Sequence, residues 1–275
     1  MMERKELYEL IGLQEEVICQ LQAIEEEVDL AQIDPLLSRL MDQKTMEKAY
    51  EELKAVLDED EEQMRMLYCQ LECVRRVWDR YRQKGISKIV YADTMKCFTR
   101  FLGECEQKNG RMFFDRGWWT YRQISMKIFR IGALEYEFCD GDEAGMTAVH
   151  IPSDADLSAA SVQQSLAESR TFFTTFYPDR GHDKYICNSW LLSPVLRSLL
   201  PEGSRIAAFQ DRFEITEVEK DSREYVEWLF QSPLETENEN LPAQTSLQRK
   251  AKELMLVGGN IGSAYGILKE YGDIT

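Results

Sequence analysis

Apolar residues in the first hundred positions recur at intervals of three and four. Leu7, Leu10, Ile11, Val17, Ile18, Leu21, Ile24 and Val28 are separated mainly by glutamates and other polar residues. One stripe of that period predicts one long amphipathic helix. Asp34-Pro35 reads as the start of a second helix, an N-cap carboxylate followed by proline at the first helical position. A third stripe runs through Met64, Leu67, Leu71, Val74, Trp78 and Tyr81 and stops near Gly85. The acids at 58–62 precede it and read as a solvated helix start, where carboxylates meet the positive end of the helix dipole. Cys69 and Cys73 share one face of that helix. With no second cysteine pair to complete a metal site, they read as core thiols.

The period changes after about residue 105. Residues 106–110 are polar and end in Gly110, a plausible joint. Beyond it, apolar and charged residues alternate from Phe129 to Phe138, as in a half-buried strand whose phase slips at Gly132-Ala133. A bulge or bend at Gly132 would return both sets to one face. Asp140-Gly141 and Gly145 are turn residues that fold the chain into an antiparallel strand at 146–151, ended by Pro152. A helix opens at Leu157-Ser158 and runs to about Phe176, with Ser161 and Gln164 spaced like a capping box. The apolar run 185–192 suits a central strand covered on both faces. A short helix after Pro194, strands at 205–218 and 225–230, a helix from about Thr245 and a glycine-rich tail complete the order. The fold class is α+β: a helical N-terminal domain over 1–110, then a mixed β-sheet domain flanked by helices over 111–275.

Composition narrows the function. The net charge of −16 opposes binding to nucleic acid or to an anionic membrane, and a negative field favours a cationic or amine-bearing partner. No run reaches the roughly 18 apolar residues of a membrane span, and the glutamate-rich start is unlike a signal peptide. Seven scattered cysteines, an odd number, fit reduced thiols in a cytoplasm. Two histidines outside any His-x-x-x-His pair argue against a metal site. Nucleophile-elbow and P-loop motifs are missing. The glycines at 258–262 follow a helix pattern with too little chain left for a dinucleotide-binding unit.

Several blocks carry a resemblance. They are Phe129-Arg130-Ile131-Gly132 with Leu134-Glu135-Tyr136-Glu137-Phe138, His150-Ile151-Pro152-Ser153 with Leu157-Ser158, Cys187-Asn188-Ser189-Trp190-Leu191-Leu192, and Thr245-Ser246-Leu247-Gln248-Arg249. Together they resemble a bacterial family of acyltransferase-domain proteins, in which a helical N-terminal domain precedes a GNAT-like C-terminal domain. The resemblance implies transfer of an acyl group from acetyl-CoA or another acyl-CoA to a small-molecule or peptide amine. It implies a donor held in a splay between strands 146–151 and 185–190, its pyrophosphate resting on N–H groups where the helix near Ser158 begins. Donor contacts then fall to Ile151, Ser153, Ser158, Asn188 and Ser189, and Trp190 walls the acyl pocket. His150, projecting from the face opposite Val149 and Ile151, is the candidate base. His182 reads as a surface residue and Cys187 as packing. The loop 152–158 departs from the common GNAT pattern. It has no glycine, and Asp154 and Asp156 would repel a pyrophosphate unless they point away as caps. The rival reading is therefore a non-catalytic binding protein with a degenerate GNAT-like domain.

Overall fold

The computed structural model describes residues 2–180 and 184–269, so His182 lies outside the described residues. The chain divides into two compact units, Met1–Arg130 and Ile131–Thr275. The first unit holds α1 (Arg4–Ile11), α2 (Glu15–Glu27), α3 (Leu30–Leu40), α4 (Met46–Leu57), α5 (Met64–Lys84), α6 (Lys88–Met95), α7 (Cys97–Asn109) and α8 (Gly117–Ile124).

Helix α5 is the axis of this unit and packs against α2, α3, α4, α6 and α8. Two of its buried polar side chains are tied to neighbours. Gln70 Nε2 donates to Gly117 C=O at 2.8 Å, and Glu72 accepts from Arg75 and Arg76. The Asp60 carboxylate accepts the N–H groups of Met66 and Arg65 at 2.8 and 3.1 Å, so the acidic run does serve the start of α5. Cys69 and Cys73 are fully buried, and burial pushes the Cys69 thiol up to about 12. After α7, Phe114 stacks on Phe98 and its N–H reaches Glu62 C=O, which keeps 111–116 within the helical unit.

Two helix expectations are corrected here. The single stripe from Leu7 to Val28 is carried by two helices, because Gly12 adopts φ +70° and ends α1. The start signal at Asp34-Pro35 is also displaced. Asp29 caps α3 by accepting from Ala31 N–H at 3.0 Å, Pro35 sits inside the helix, and Asp34 pairs with Arg76.

The sheet is built from β1 (Ile128–Ile131), β2 (Leu134–Phe138), β3 (Met146–His150), β4 (Lys184–Ser189), β5 (Phe213–Glu219) and β6 (Ser263–Leu268), in the order β1-β2-β3-β4-β6-β5. Between them run α9 (Ala159–Phe176), α10 (Pro194–Leu199), α11 (Arg205–Gln210), α12 (Glu224–Leu229) and α13 (Ser246–Leu256). β3 and β4 are parallel, joined by the α9 crossover, whereas β2–β3, β4–β6 and β5–β6 are antiparallel. This is the expected α+β order, with antiparallel ribbons around one crossover.

Four strand-level expectations are corrected. Residues 129–138 form two neighbouring strands rather than one bulged strand. The turn at Gly132-Ala133, with Gly132 at φ +61°, separates them. The run 205–218 divides into α11 and β5, and 225–230 is helical: Tyr225, Val226 and Phe230 share a buried side, a spacing that six residues cannot distinguish from a strand. The glycine-rich tail contains β6, which lies between β4 and β5. Gly266 answers to close packing, since a Cβ there would lie 3.1 Å from both Ile215 Cδ1 and Phe213 Cβ. Finally, β2 is buried on both faces, Glu135 and Glu137 included.

Helix α9 covers one face of the sheet. Phe173 meets Phe138 at 5.1 Å between ring centroids, and two serines anchor tyrosine hydroxyls: Ser165 to Tyr136 at 2.8 Å and Ser169 to Tyr185 at 3.1 Å. A second core, formed by Leu191, Leu196, Tyr225, Val226 and Phe230, ties α10 and α12 to the chain leaving β4. At the entry to β6, Gly262 has φ +73° and a Cβ there would lie 2.6 Å from Glu219 C=O. Gly262→Ala should therefore cost about 2 kcal/mol, read as a lowered denaturation midpoint of the full chain. An unchanged midpoint would show that this turn is not under strain.

Candidate active site

The β3–β4 ladder runs from Met146↔Lys184 to Ala148↔Ile186 and ends there, although β3 continues to His150 and β4 to Ser189. Cys139 N–H donates to Met146 C=O at 3.2 Å, which with the antiparallel register turns the backbone groups of 146, 148 and 150 toward β2. Thr147, Val149 and Ile151 therefore turn theirs toward β4. By the parallel register, residues 186, 188 and 190 turn theirs toward β3. Past the last pair the two strands leave backbone donors and acceptors facing a cleft. An extended amide-bearing chain can complete such a cleft as a strand would.

Alternation places Met146, Ala148 and His150 on the face away from α9, with Glu135 and Glu137 on β2 and Asn188 and Tyr265 farther along. His150 Nε2 lies 2.8 Å from Glu137 Oε2, their side chains 26% and 11% exposed. Glu135 is directly opposite His150 in register. A carboxylate on one ring nitrogen fixes the tautomer and orients the imidazole, the arrangement that supports a general base. Tyr265 stands opposite Asn188, and burial together with a hydrogen bond to Glu143 raises its hydroxyl above the usual range.

The start of α9 shows where the two acids of the glycine-free loop go. Ser158 is the N-cap and accepts from Ser161 N–H at 3.3 Å. Asp156 accepts from Ser158 N–H at 3.0 Å, Ser158 Oγ at 2.8 Å and Ser161 Oγ at 2.6 Å, and pairs with Arg205 at 3.2 Å. These hydrogen bonds, that from Ser161 first, hold its carboxyl down to about 2. Asp156 is thus a helix-start anion. The capping expectation is shifted by one turn: Gln164 bonds Glu168 instead of the N-cap. Arg212, bonded to Gln163 and Ala159 C=O, adds a second cation beside the first turn.

The remaining candidates are spread around the cleft. Ile151 and Trp190, just past the ends of the two strands, both pack on the second core. Ser153 is exposed in the loop, and Asn188 is exposed on the His150 face. Ser189 caps the turn after β4 by accepting from Leu191 N–H at 3.1 Å. Cys187 is buried on the face toward α9, and burial raises its thiol, which makes it packing rather than a nucleophile. Among the described residues, no three His, Cys, Asp or Glu side chains gather as metal ligands.

Sequence reasoning did not single out Glu137, Glu224, Arg205 or Tyr265. Glu137 had a signal: the turn at 140–145 fixes the β2–β3 register, which brings the alternating acids of β2 to the face of His150. Arg205, Glu224 and Tyr265 reach the region from segments far along the chain, and nothing local marks them.

Residues 128–268 match the family described as a GNAT-like C-terminal domain, and residues 2–126 that described as an N-acyltransferase N-terminal domain. An acyltransferase in complex with decanoyl-CoA and teicoplanin shares the fold with a TM-score of 0.71 at 19% identity, over 98% of this chain and 99% of that one. An acyltransferase in complex with CoA and 10C-teicoplanin matches with a TM-score of 0.71 at 19% identity, over the same 98% and 99%. One in complex with decanoyl-CoA gives 0.70 at 18%, over 97% and 99%. No curated protein sequence matches the chain.

The Asp156 cap has a pH signature. A depressed carboxyl stabilises the fold fully above its unfolded value, about 4, and loses that contribution as pH falls through about 2. Asp156→Asn should melt below the wild type by a constant margin from pH 7 to 5, and the margin should shrink below pH 4. A margin independent of pH would remove the charge from this account.

Proposed function

Because the chain belongs to the family with the GNAT-like C-terminal domain, we propose that it transfers an acyl group from an acyl-CoA thioester to the amine of a small molecule. The observation that carries this reading is the His150–Glu137 pair, set on the sheet face beside the unpaired ends of β3 and β4. Pantetheine lies along the cleft and its amides bond the backbone groups of Val149, Ile151 and Asn188. The pyrophosphate sits toward the start of α9, near Ser153 and Ser158, where Arg205 and Arg212 supply positive charge. Trp190 borders the acyl side. The likeness to acyltransferases bound to decanoyl-CoA and CoA supports this donor, and the one bound to teicoplanin supports a small-molecule acceptor.

Chemically, Glu137 accepts Nε2–H of His150, which leaves the basic lone pair on Nδ1. His150 removes a proton from the acceptor ammonium, and the freed amine attacks the thioester carbon. The tetrahedral intermediate gives up the second proton of its cationic nitrogen to water, its oxyanion collapses, the carbon–sulfur bond breaks, and the thiolate takes the proton held by His150, which leaves an amide, free CoA and one proton in solvent. The acidic face formed by Glu135 and Glu137 suits an acceptor that arrives as a cation. The setting we assign is a bacterial cytoplasm, in keeping with seven cysteines of which none is bridged. No helix among the described residues is long and apolar enough to cross a membrane.

A second reading is favoured by one observation. Asp156 already supplies an anion at the start of α9, which suits a binding protein that has given up its donor site. Release of CoA thiol in the presence of an amine separates the two. Catalysis predicts amine-dependent release that falls about a hundredfold or more in His150→Ala, with the KM for acyl-CoA within about threefold. Glu137→Gln should lower kcat in the same direction by a smaller factor. Undiminished turnover in His150→Ala would remove it as the base, and no release by the wild type with any amine would favour the binding protein.

A further inference from the structure

The turn that leaves β4 is closed by Ser193 N–H donating to Trp190 C=O at 3.0 Å, and side chains hold it further. Ser189 Oγ accepts from Leu191 N–H, Ser193 Oγ donates to Ile261 C=O, and Gln210 Nε2 donates to Leu191 C=O and Ser193 C=O. The first N–H of that turn, on Trp190, goes to a carboxylate: it donates to Glu224 Oε1 at 2.7 Å. Glu224 opens α12 and is half-buried. Burial raises its carboxyl above the ordinary range, the Trp190 N–H opposes that shift, and Glu219 adds to it. Burying a carboxylate is costly, and a neutral acceptor would satisfy one N–H as well.

The ladder parity gives that N–H a particular meaning. Residues 186, 188 and 190 turn their backbone groups toward β3, and Ile151 turns its own toward β4. If the parallel ladder continued past Ala148↔Ile186, Trp190 N–H is the donor that would meet Ile151 C=O. Both residues stand at the mouth of the cleft, packed on the same apolar core. Glu224 takes the bond that would close it.

We propose that Glu224 is a positioning residue that keeps the donor cleft open, by holding Trp190 N–H away from β3 so that the backbone edge of β3 stays available to the pantetheine arm. This rests on the donor reading above. Its effect falls on donor binding and leaves the chemistry at His150 alone.

The test uses the full chain, with decanoyl-CoA as the donor probe, a primary amine as the acceptor and release of CoA thiol as the readout. Glu224→Ala should raise the KM for the donor about tenfold, the loss of one hydrogen bond to a charged group, with kcat within about twofold. Glu224→Gln keeps an oxygen that accepts the N–H and should restore KM to within about threefold of wild type. A residue that merely stabilises the fold would not give this separation of KM from kcat. An unchanged KM in Glu224→Ala, or a Gln variant as impaired as the Ala variant, overturns the proposal. Should Glu224→Ala fail to fold, amide exchange of the wild type decides: slow exchange at Trp190 without donor is expected, and fast exchange there overturns the clamp. A wild type that does not bind decanoyl-CoA overturns the donor reading together with this proposal, whereas wild-type binding with an indifferent Glu224→Ala overturns this proposal alone.

Discussion

The early end of one hydrogen-bond ladder organises the sheet unit. β3 and β4 are neighbours in a parallel pair, yet they share a register only as far as Ala148 and Ile186. Unpaired backbone groups inside a protein are costly, so strands that part must be held apart. Three features do so. The α9 crossover packs its aromatic and serine side against Tyr136, Phe138 and Tyr185 and sets the two strands' spacing from one face. The apolar core beneath Ile151 and Trp190 seats the two strand exits. Glu224 occupies the N–H nearest the mouth. β6, lying between β4 and β5, pairs the far side of β4, so past Ile186 the ladder of that strand is interrupted only on its β3 side.

The charges follow from that geometry. β2 buries two glutamates on the face that carries His150, an expense that a purely structural strand would avoid by using apolar residues. One of them takes the imidazole at 2.8 Å. In the loop that follows β3, the absence of glycine is answered by Asp156, which engages Ser158 and Ser161 and draws in Arg205. The start of α9 is thereby ordered by an internal carboxylate, and two arginines stand beside it.

The sheet unit was legible where the signal was local. Turn residues at 140–145 name a hairpin, and it appears; the apolar run 185–192 names a strand, which spans Lys184–Ser189 before residues 190–192 turn into a short 3-10 helix; and the helix expected from about Thr245 is there as Ser246–Leu256. The resemblance carried by 129–138, 150–158 and 187–192 supplied the splay and His150. What failed was short or depended on distant partners. The segment 225–230, apolar except for Glu227, fits a helix as well as a strand, and the tertiary core chose the helix. The glycines of the tail read as a loop because nothing local shows that Gly266 lies against Ile215 and Phe213 in the middle of a sheet. Glu137 looked like a solvent-side residue, since alternation distinguishes two faces without telling which of them is covered. Glu224 had no sequence signature at all, because its partner is a backbone N–H 34 residues away.

The central claim is that acyl-CoA binds in the cleft where β3 and β4 part. Hydrogen–deuterium exchange of the full chain, with and without decanoyl-CoA, tests it most directly. The account predicts new protection at residues 149–161 and at Asn188, with Trp190 already protected before the donor is added. Protection confined to other segments, or none at saturating donor, would contradict it.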